Sequence, residues 1–221
     1  MQNMSSFLNN KKEIFYIIII FLFSISINQY YGNLGVCPID SFWFFNSGYD
    51  SLNGYYPFKD YWTISGPFIT FTQAIFFKVL GTSWFSYVLH ASFFNFLISI
   101  ATFYTLYKFK LSTDYCLLYS LLIAILAYPS AGTPFVDHHS SILSIISLLF
   151  FILAIKTNSK IYWFFLPIIL AISFLSKQTP TGNIFLSSIY FIINFDIKKI
   201  LLALAGSASI TLFFFYNIIF N

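Results

Sequence analysis

The chain has no arginine, a single glutamate, two cysteines and little charge of either sign, with charged residues at only 8% of its 221 positions. That scarcity excludes an ordinary soluble domain, in which about a quarter of residues are charged. The eleven lysines give a net charge of +4, but they are scattered between apolar runs and form no block that could track a phosphate backbone. A nucleic-acid partner is therefore excluded. Cys37 and Cys116 lack metal-site spacing and allow one disulfide at most. No small-x-small cleavage site follows the apolar run behind Lys11 and Lys12, so the N-terminal segment reads as a retained signal anchor. Internal repeats, a Gly-rich phosphate loop and a Ser-His-Asp order are all missing.

What is present is apolar: 58% of residues are hydrophobic and 23% aromatic. The composition predicts an all-α integral membrane protein, since in hydrocarbon a helix satisfies its own backbone. A spanning helix needs about 20 mostly apolar residues. Stretches of that kind are 13–31, 84–107, 115–133, 138–155, 160–176 and 198–220, with a shorter one at 181–195. Segment 67–80 is contested. As a helix it reaches about 21 Å, short of a hydrocarbon core of about 30 Å, and it carries Gln73 and Lys78.

Positive residues near span ends stay on the cytoplasmic side, so the lysines arbitrate. If 67–80 does not span, Lys11, Lys12, Lys108, Lys110, Lys156, Lys160, Lys198 and Lys199 all fall inside, leaving Lys59, Lys78 and Lys177 outside. The expectation is seven spans, a cytoplasmic N-terminus and a long external segment from about Tyr31 to Ser83. Cys37 and Cys116 then face opposite sides and form no bridge. Of the acids, Asp40, Asp50, Asp60 and Asp137 lie outside, while Glu13, Asp114 and Asp196 sit beside cytoplasmic lysines.

Within the external segment, DSFWFFNSGYDSL at 40–52 puts Phe42, Phe45, Tyr49 and Leu52 on one helical face and Asn46, Ser47, Asp50 and Ser51 away from it. It reads as a helix lying on the membrane, started by Pro38 and Asp40 and stopped by Asn53-Gly54. The elbow GYYPFKDYWTISGP follows. Its Lys59 and Asp60 lie near water, with Asp60 as an organiser of the elbow, and Gly66-Pro67 opens a second interfacial helix. Trp43, Trp62, Trp84 and Trp163 suit interfacial belts.

The order Asp40, Gly54, Pro57, Asp60, Trp62, Gly66-Pro67 and Leu80-Gly81, continued by PFVDHHS at 134–140 and FLSKQTPTG at 174–182, resembles the GT-C polytopic glycosyltransferases. Within them it is closest to the group of protein O-mannosyltransferases and lipid A aminoarabinose transferases. The resemblance implies transfer of a sugar from a polyprenyl-phosphate carrier to a lipid, glycan or protein acceptor. The reaction would take place on the outer face of a bacterial inner (plasma) membrane. The loop's first Asp is the catalytic residue of that group, which maps to Asp40. Asp137 corresponds to a second site acid with His138 beside it. Lys177, followed by Gln178, corresponds to the basic residue that holds the carrier phosphate, and Lys59 is the alternative cation. Two departures are Ser41, where many relatives carry a second acid, and Ser65, where several carry a basic residue. Members are typically longer, so the chain looks like the N-terminal half of such an enzyme.

The chemistry needs few groups. A carboxylate at a membrane interface can take the proton of an acceptor hydroxyl, and cationic or hydrogen-bond contacts can stabilise a departing phosphate without a general acid. Asp40 is the candidate base, and a helix cap is its bland alternative. Asp137-His138-His139 leaves room for a divalent cation, although adjacent histidines on a helix diverge by about 100°. Lys177 can equally be a snorkelling lysine, Asp50 reads as a solvated residue, and His90 as a packed or hydrogen-bonded histidine without a role. A transporter or flippase for a lipid-linked saccharide and a non-catalytic membrane subunit are the other readings of the sequence. The sidedness is testable in a background lacking Cys37 and Cys116. A cysteine at position 78 is expected to react with a membrane-impermeant maleimide on intact cells, and one at position 108 only after permeabilisation. Labelling of position 108 from outside would sink the topology.

Overall fold

The computed structural model describes residues 11–36, 38–179, 181–182 and a few positions between 198 and 209. Apart from those positions, the predicted spans 181–195 and 198–220 lie outside the described residues, as does Cys37. Cys116 is a buried free thiol. Among the described residues the elements are seven α-helices: α1 (Lys11–Gly32), α2 (Pro38–Leu52), α3 (Pro67–Leu80), α4 (Trp84–Lys108), α5 (Thr113–Leu126), α6 (Val136–Thr157) and α7 (Lys160–Ser176). By length and composition α1, α4 and α6 can cross a membrane, while α3, α5 and α7 are shorter apolar helices.

Polar side chains are buried beside apolar ones while much of the outer surface is apolar, unlike a protein folded in water. Along α1, Ile14, Phe15, Ile18, Phe21 and Leu22 are exposed, whereas Ser24 and Asn28 are fully buried. Asn28 donates from Nδ2 to Ser92 Oγ and to the Gly132 carbonyl, both at 3.0 Å. Such a pattern suits a solvent of lipid tails, in which apolar side chains cost nothing outside and polar ones must find partners within the protein.

One group of charged contacts lies at one end. Lys12 pairs with Asp114 at 3.0 Å, Tyr16 donates to the same carboxylate, and the Lys156 ammonium lies 3.6 Å from the Phe109 ring centroid. These contacts join the start of α1, the α4–α5 turn and the end of α6, the end assigned to the cytoplasm from the sequence. At the opposite end the Trp84 indole donates to the Gly32 carbonyl at 3.1 Å. There the α1 and α5–α6 backbones touch: a Cβ on Gly132, whose φ is +70°, would sit 2.7 Å from Gly32 Cα.

One predicted span is cut short. The apolar run 115–133 suggests a helix throughout, yet α5 stops at Leu126 and the chain runs on to α6 as an irregular connector. Pro129 ends the helix, since it has no N–H to continue the ladder and disfavours helical backbone at Tyr128, and a buried side chain on α4 takes up the groups this leaves. Asn95, with no exposed surface, donates to the carbonyls of Ala124 at 2.8 Å and Ser24 at 3.2 Å, and its Oδ1 accepts from the Tyr128 N–H at 3.3 Å. It thus substitutes for the hydrogen bonds a continuing helix would have made. Asn95→Ala strands these groups away from water and is expected to cost about 1–3 kcal/mol. Asn33→Ala, at an exposed position, should cost less than about 0.5 kcal/mol. Thermal unfolding of the two variants in detergent checks the difference.

Candidate functional site

Helices α2 and α3 lie together across the end opposite the Lys12–Asp114 pair. The face of α2 turned to the protein carries Ser41, Phe44, Ser47 and Gly48, all buried. Phe42 and Tyr49 are exposed as a lipid-facing side would be. Two expectations for this helix are corrected. Ser47, expected to point away from the packed face, is buried because its carbonyl receives the Tyr61 hydroxyl at 3.1 Å. Phe45 turns inward, with its ring 4.9 Å from that of Phe77 and 5.3 Å from that of Tyr87. The helix has apolar residues on its packed face and also on its exposed one, at Phe42 and Tyr49, which an amphipathic pattern with one polar side cannot convey.

Asp40 stands half-buried in the first turn of α2. The next residue anchors it: Ser41 Oγ shares a hydrogen bond with Thr133 Oγ1 at 3.3 Å, and the Tyr87 hydroxyl donates to the Ser41 carbonyl at 2.7 Å. One turn on, the Phe44 ring meets Phe135 edge-on at 5.9 Å. The start of α2 is therefore stitched to the connector that leads into Asp137. Ser41, where an acid would be expected from the resemblance, is spent on this stitch.

The elbow is closed by its own residues. Asp60 accepts the Tyr56 N–H at 2.8 Å, Phe58 takes a left-handed φ of 67° at the tip, and the Lys59 ammonium lies 5.4 Å from the Tyr56 ring centroid. Lys59 and Asp60 thus belong to the turn itself. The elbow then runs into Gly66-Pro67. The Gly66 N–H donates to the Ser176 carbonyl at 3.0 Å, and Pro67 opens α3 at a position where its missing N–H costs nothing. A Cβ on Gly66 would collide with the Leu175 carbonyl. Only glycine lets the external loop reach the last turn of α7, one residue before Lys177.

Lys177 Nζ donates to Asp137 Oδ1 from about half-exposed positions on both sides. Behind this pair, Ser140, Ser144, Ser173 and Thr181 form a buried hydroxyl cluster joining α6 to the segment after α7, with the Ser173–Thr181 bond at 2.6 Å. Gln178 is exposed beyond the helix end. His138 Nε2 bonds Ser130 Oγ at 2.9 Å, whereas His139 points inward to Tyr128 and His90, so the two rings diverge. Among the described residues no group of three or more His, Cys, Asp or Glu side chains is arranged to hold a metal ion.

Asp137 and His138 also stand at the polar end of a cavity of about 530 Å³, otherwise lined mainly by apolar residues of α4, α5 and α6, from Ile98 and Ile123 to Ile142 and Leu149. Of the residues singled out in the sequence, Asp137 and Lys177 meet directly and Gly66-Pro67 abuts them. Asp40 joins the same end of the molecule through Ser41, Thr133 and Phe135. Residues that sequence reasoning left aside are Thr133, Ser130, Tyr128, Gln73 and His90. Their one signal is polarity inside or beside apolar runs.

The chain matches no protein-family model and no curated protein sequence. The contact of Gly66 with α7 has its own test. Gly66→Ala is expected to lower stability by about 1–3 kcal/mol through overpacking. Gly35→Ala, where a Cβ meets nothing within 4 Å, should stay within about 0.5 kcal/mol. Equal melting temperatures for the two would remove the proposed close approach.

Proposed function

We propose that the protein transfers a sugar from a polyprenyl-phosphate carrier to an acceptor on the extracytoplasmic face of the membrane. The observation that supports this reading is the meeting of three distant segments at one end of the helices. They are the external loop with Asp40 and Gly66-Pro67, the turn with Asp137-His138, and the helix end with Lys177. Ser41·Thr133, Asp137·Lys177 and Gly66·Ser176 contacts join them. The apolar cavity running from Asp137 between α4, α5 and α6 suits a donor whose charged head must sit at an interface while its hydrocarbon stays in the membrane.

In this reading the acceptor hydroxyl oxygen attacks the anomeric carbon and its proton passes to the Asp40 carboxylate. The bond from the anomeric carbon to the phosphate oxygen breaks on the opposite face, inverting the configuration. The departing phosphate carries the electron pair and the added negative charge. Lys177, with three N–H donors, can keep one on Asp137 and turn the others to that phosphate. Asp137 holds the ammonium at the mouth of the cavity, and His138, fixed by Ser130, lines the same mouth. A weakly basic leaving group needs no protonation, so one carboxylate and one anion site suffice.

Transfer from a radiolabelled polyprenyl-phosphate sugar by the purified chain in nanodiscs tests the assignment. Asp40→Asn is expected to lower kcat by about 10²- to 10⁴-fold, while Asp50→Asn should leave it within a factor of about two. Lys177→Gln is expected to lower donor kcat/KM, with the acceptor KM unchanged. Equal rates for wild type and Asp40→Asn would remove the base.

A further inference from the structure

A chain of buried polar side chains runs behind the site and is used by none of the steps above. Gln73 of α3, His90 of α4, His139 of α6 and Tyr128 of the connector are each at most 1% exposed. They are bonded in series. Gln73 Oε1 lies 2.8 Å from His90 Nδ1, His90 Nε2 lies 3.1 Å from His139 Nε2, and His139 Nδ1 bonds the Tyr128 hydroxyl. That hydroxyl in turn accepts the Phe135 N–H at 2.9 Å. With the Gln73 oxygen as terminal acceptor, one proton order satisfies every link. Tyr128 donates to His139 Nδ1, His139 Nε2–H donates to His90 Nε2, and His90 Nδ1–H donates to Gln73. Both imidazoles are then neutral, each with a fixed tautomer set by the neighbour.

Packing leaves the chain no slack. The His90 ring stacks on Phe76 at 5.0 Å, and Phe94 closes on His139 at 4.2 Å. At the far end Gln73 lies against α2, where a Cβ on Gly48 would meet its Cγ at 2.5 Å. The series therefore begins on the helix pair that carries Asp40, passes through His139, two residues from Asp137 on α6, and ends at Tyr128 on the connector. Apolar residues could fill the same space, and a buried polar chain in a membrane protein is costly, here the more so because Gln73 Nε2 is buried without a hydrogen-bond partner.

We infer that Gln73, His90, His139 and Tyr128 are positioning residues that lock the external helices to the outer turn of α6, and so hold Asp137, with Lys177, in register with Asp40. The kinetic consequence rests on the glycosyltransferase reading; the structural one does not. Gln73 carries the α3 end of the link and Tyr128, beyond His139, fixes the tautomer with which His139 donates to His90, so cutting either contact releases the same proton order.

Two measurements on the full chain in nanodiscs test this. The protein has three histidines, so ¹⁵N-histidine labelling gives a spectrum that single substitutions assign. In wild type, His90 is expected as the Nδ1–H tautomer and His139 as the Nε2–H tautomer, with scalar coupling across the Nε2···Nε2 bond. Gln73→Leu touches His90 and not His139, yet the His139 ring resonances should shift with it. Unchanged His139 resonances would overturn the series. In the transfer assay, Gln73→Leu and Tyr128→Phe should each lower kcat by roughly tenfold to a hundredfold with donor KM held. The double variant should be no worse than the more severe single one. Additive losses, or lost stability with kcat intact, would make the four residues merely structural. A wild-type protein that binds the donor but transfers nothing removes the enzymatic reading and leaves the spectroscopic arm to decide the restraint.

Discussion

A polar group carried into a membrane interior has no water to return to, and its partners must come from the protein itself. The half of this molecule opposite the Lys12–Asp114 pair is organised by that requirement. Asn28 and Asn95 each hold together elements far apart in the chain, α1 to the 127–135 connector and α4 to both α1 and α5. Gln73, His90, His139 and Tyr128 do the same for α3, α4 and α6. The apolar surface, by contrast, is interchangeable with lipid and gives little preference for one packing over another. Specific arrangement therefore comes from the polar contacts and from the glycines that permit close approach.

The consequence is a firm attachment for the long segment between α1 and α4. Three kinds of contact fix it. The Gly66 N–H meets a carbonyl that α7 leaves unpaired at its last turn. Ser41 and Thr133 pair through their side chains. The aromatic cluster of Phe44, Phe45, Phe77, Tyr87 and Trp84 fills the space between α2, α3 and α4. Each is modest, about 1 kcal/mol for a hydrogen bond and about 0.5–1.5 kcal/mol for an aromatic pair beyond its burial. Together they determine where Asp40 stands relative to Asp137, and in a transfer reaction a displacement of an ångström matters more than a small change in stability.

The legible parts of the fold were those written in periodicity and in punctuation. The runs at 13–31, 84–107, 138–155 and 160–176 became α1, α4, α6 and α7 within two residues at each end, because long apolar runs bounded by lysines leave little alternative. Gly66-Pro67 read correctly as a helix start for the same reason. The early end of α5 was written in the segment at Pro129 and was missed because the apolar run was followed through it; its capping by Asn95, from another helix, could not be read. Ser47 and Phe45 were misplaced because α2 has apolar residues on both its packed and its exposed side. The site was legible in its residues and not in its wiring. Asp137 and Lys177 lie 40 positions apart, and nothing local predicts that they pair. His90 was read as a packed or hydrogen-bonded histidine, and it is one, but its partners could not be named because they come from two other elements, α3 and α6.

That pairing bears on how an anion would be received. Asp137 and Lys177 are both about half-exposed, and an ion pair so wetted contributes only about 0–1 kcal/mol. It orients the ammonium without trapping it. A fully buried pair would have to be broken at a cost of about 3–5 kcal/mol before the lysine could serve another anion. Here a phosphate arriving from the apolar cavity would exclude water as it settles, strengthening its own attraction to Lys177 as the local dielectric falls. Asp137 would meanwhile repel it from one side and restrict the directions of approach. In the proposed function, a weak, pre-oriented ion pair at the mouth of an apolar groove would favour an amphiphile with an anionic head over a soluble anion, because only the amphiphile would bring the hydrocarbon that dries the site.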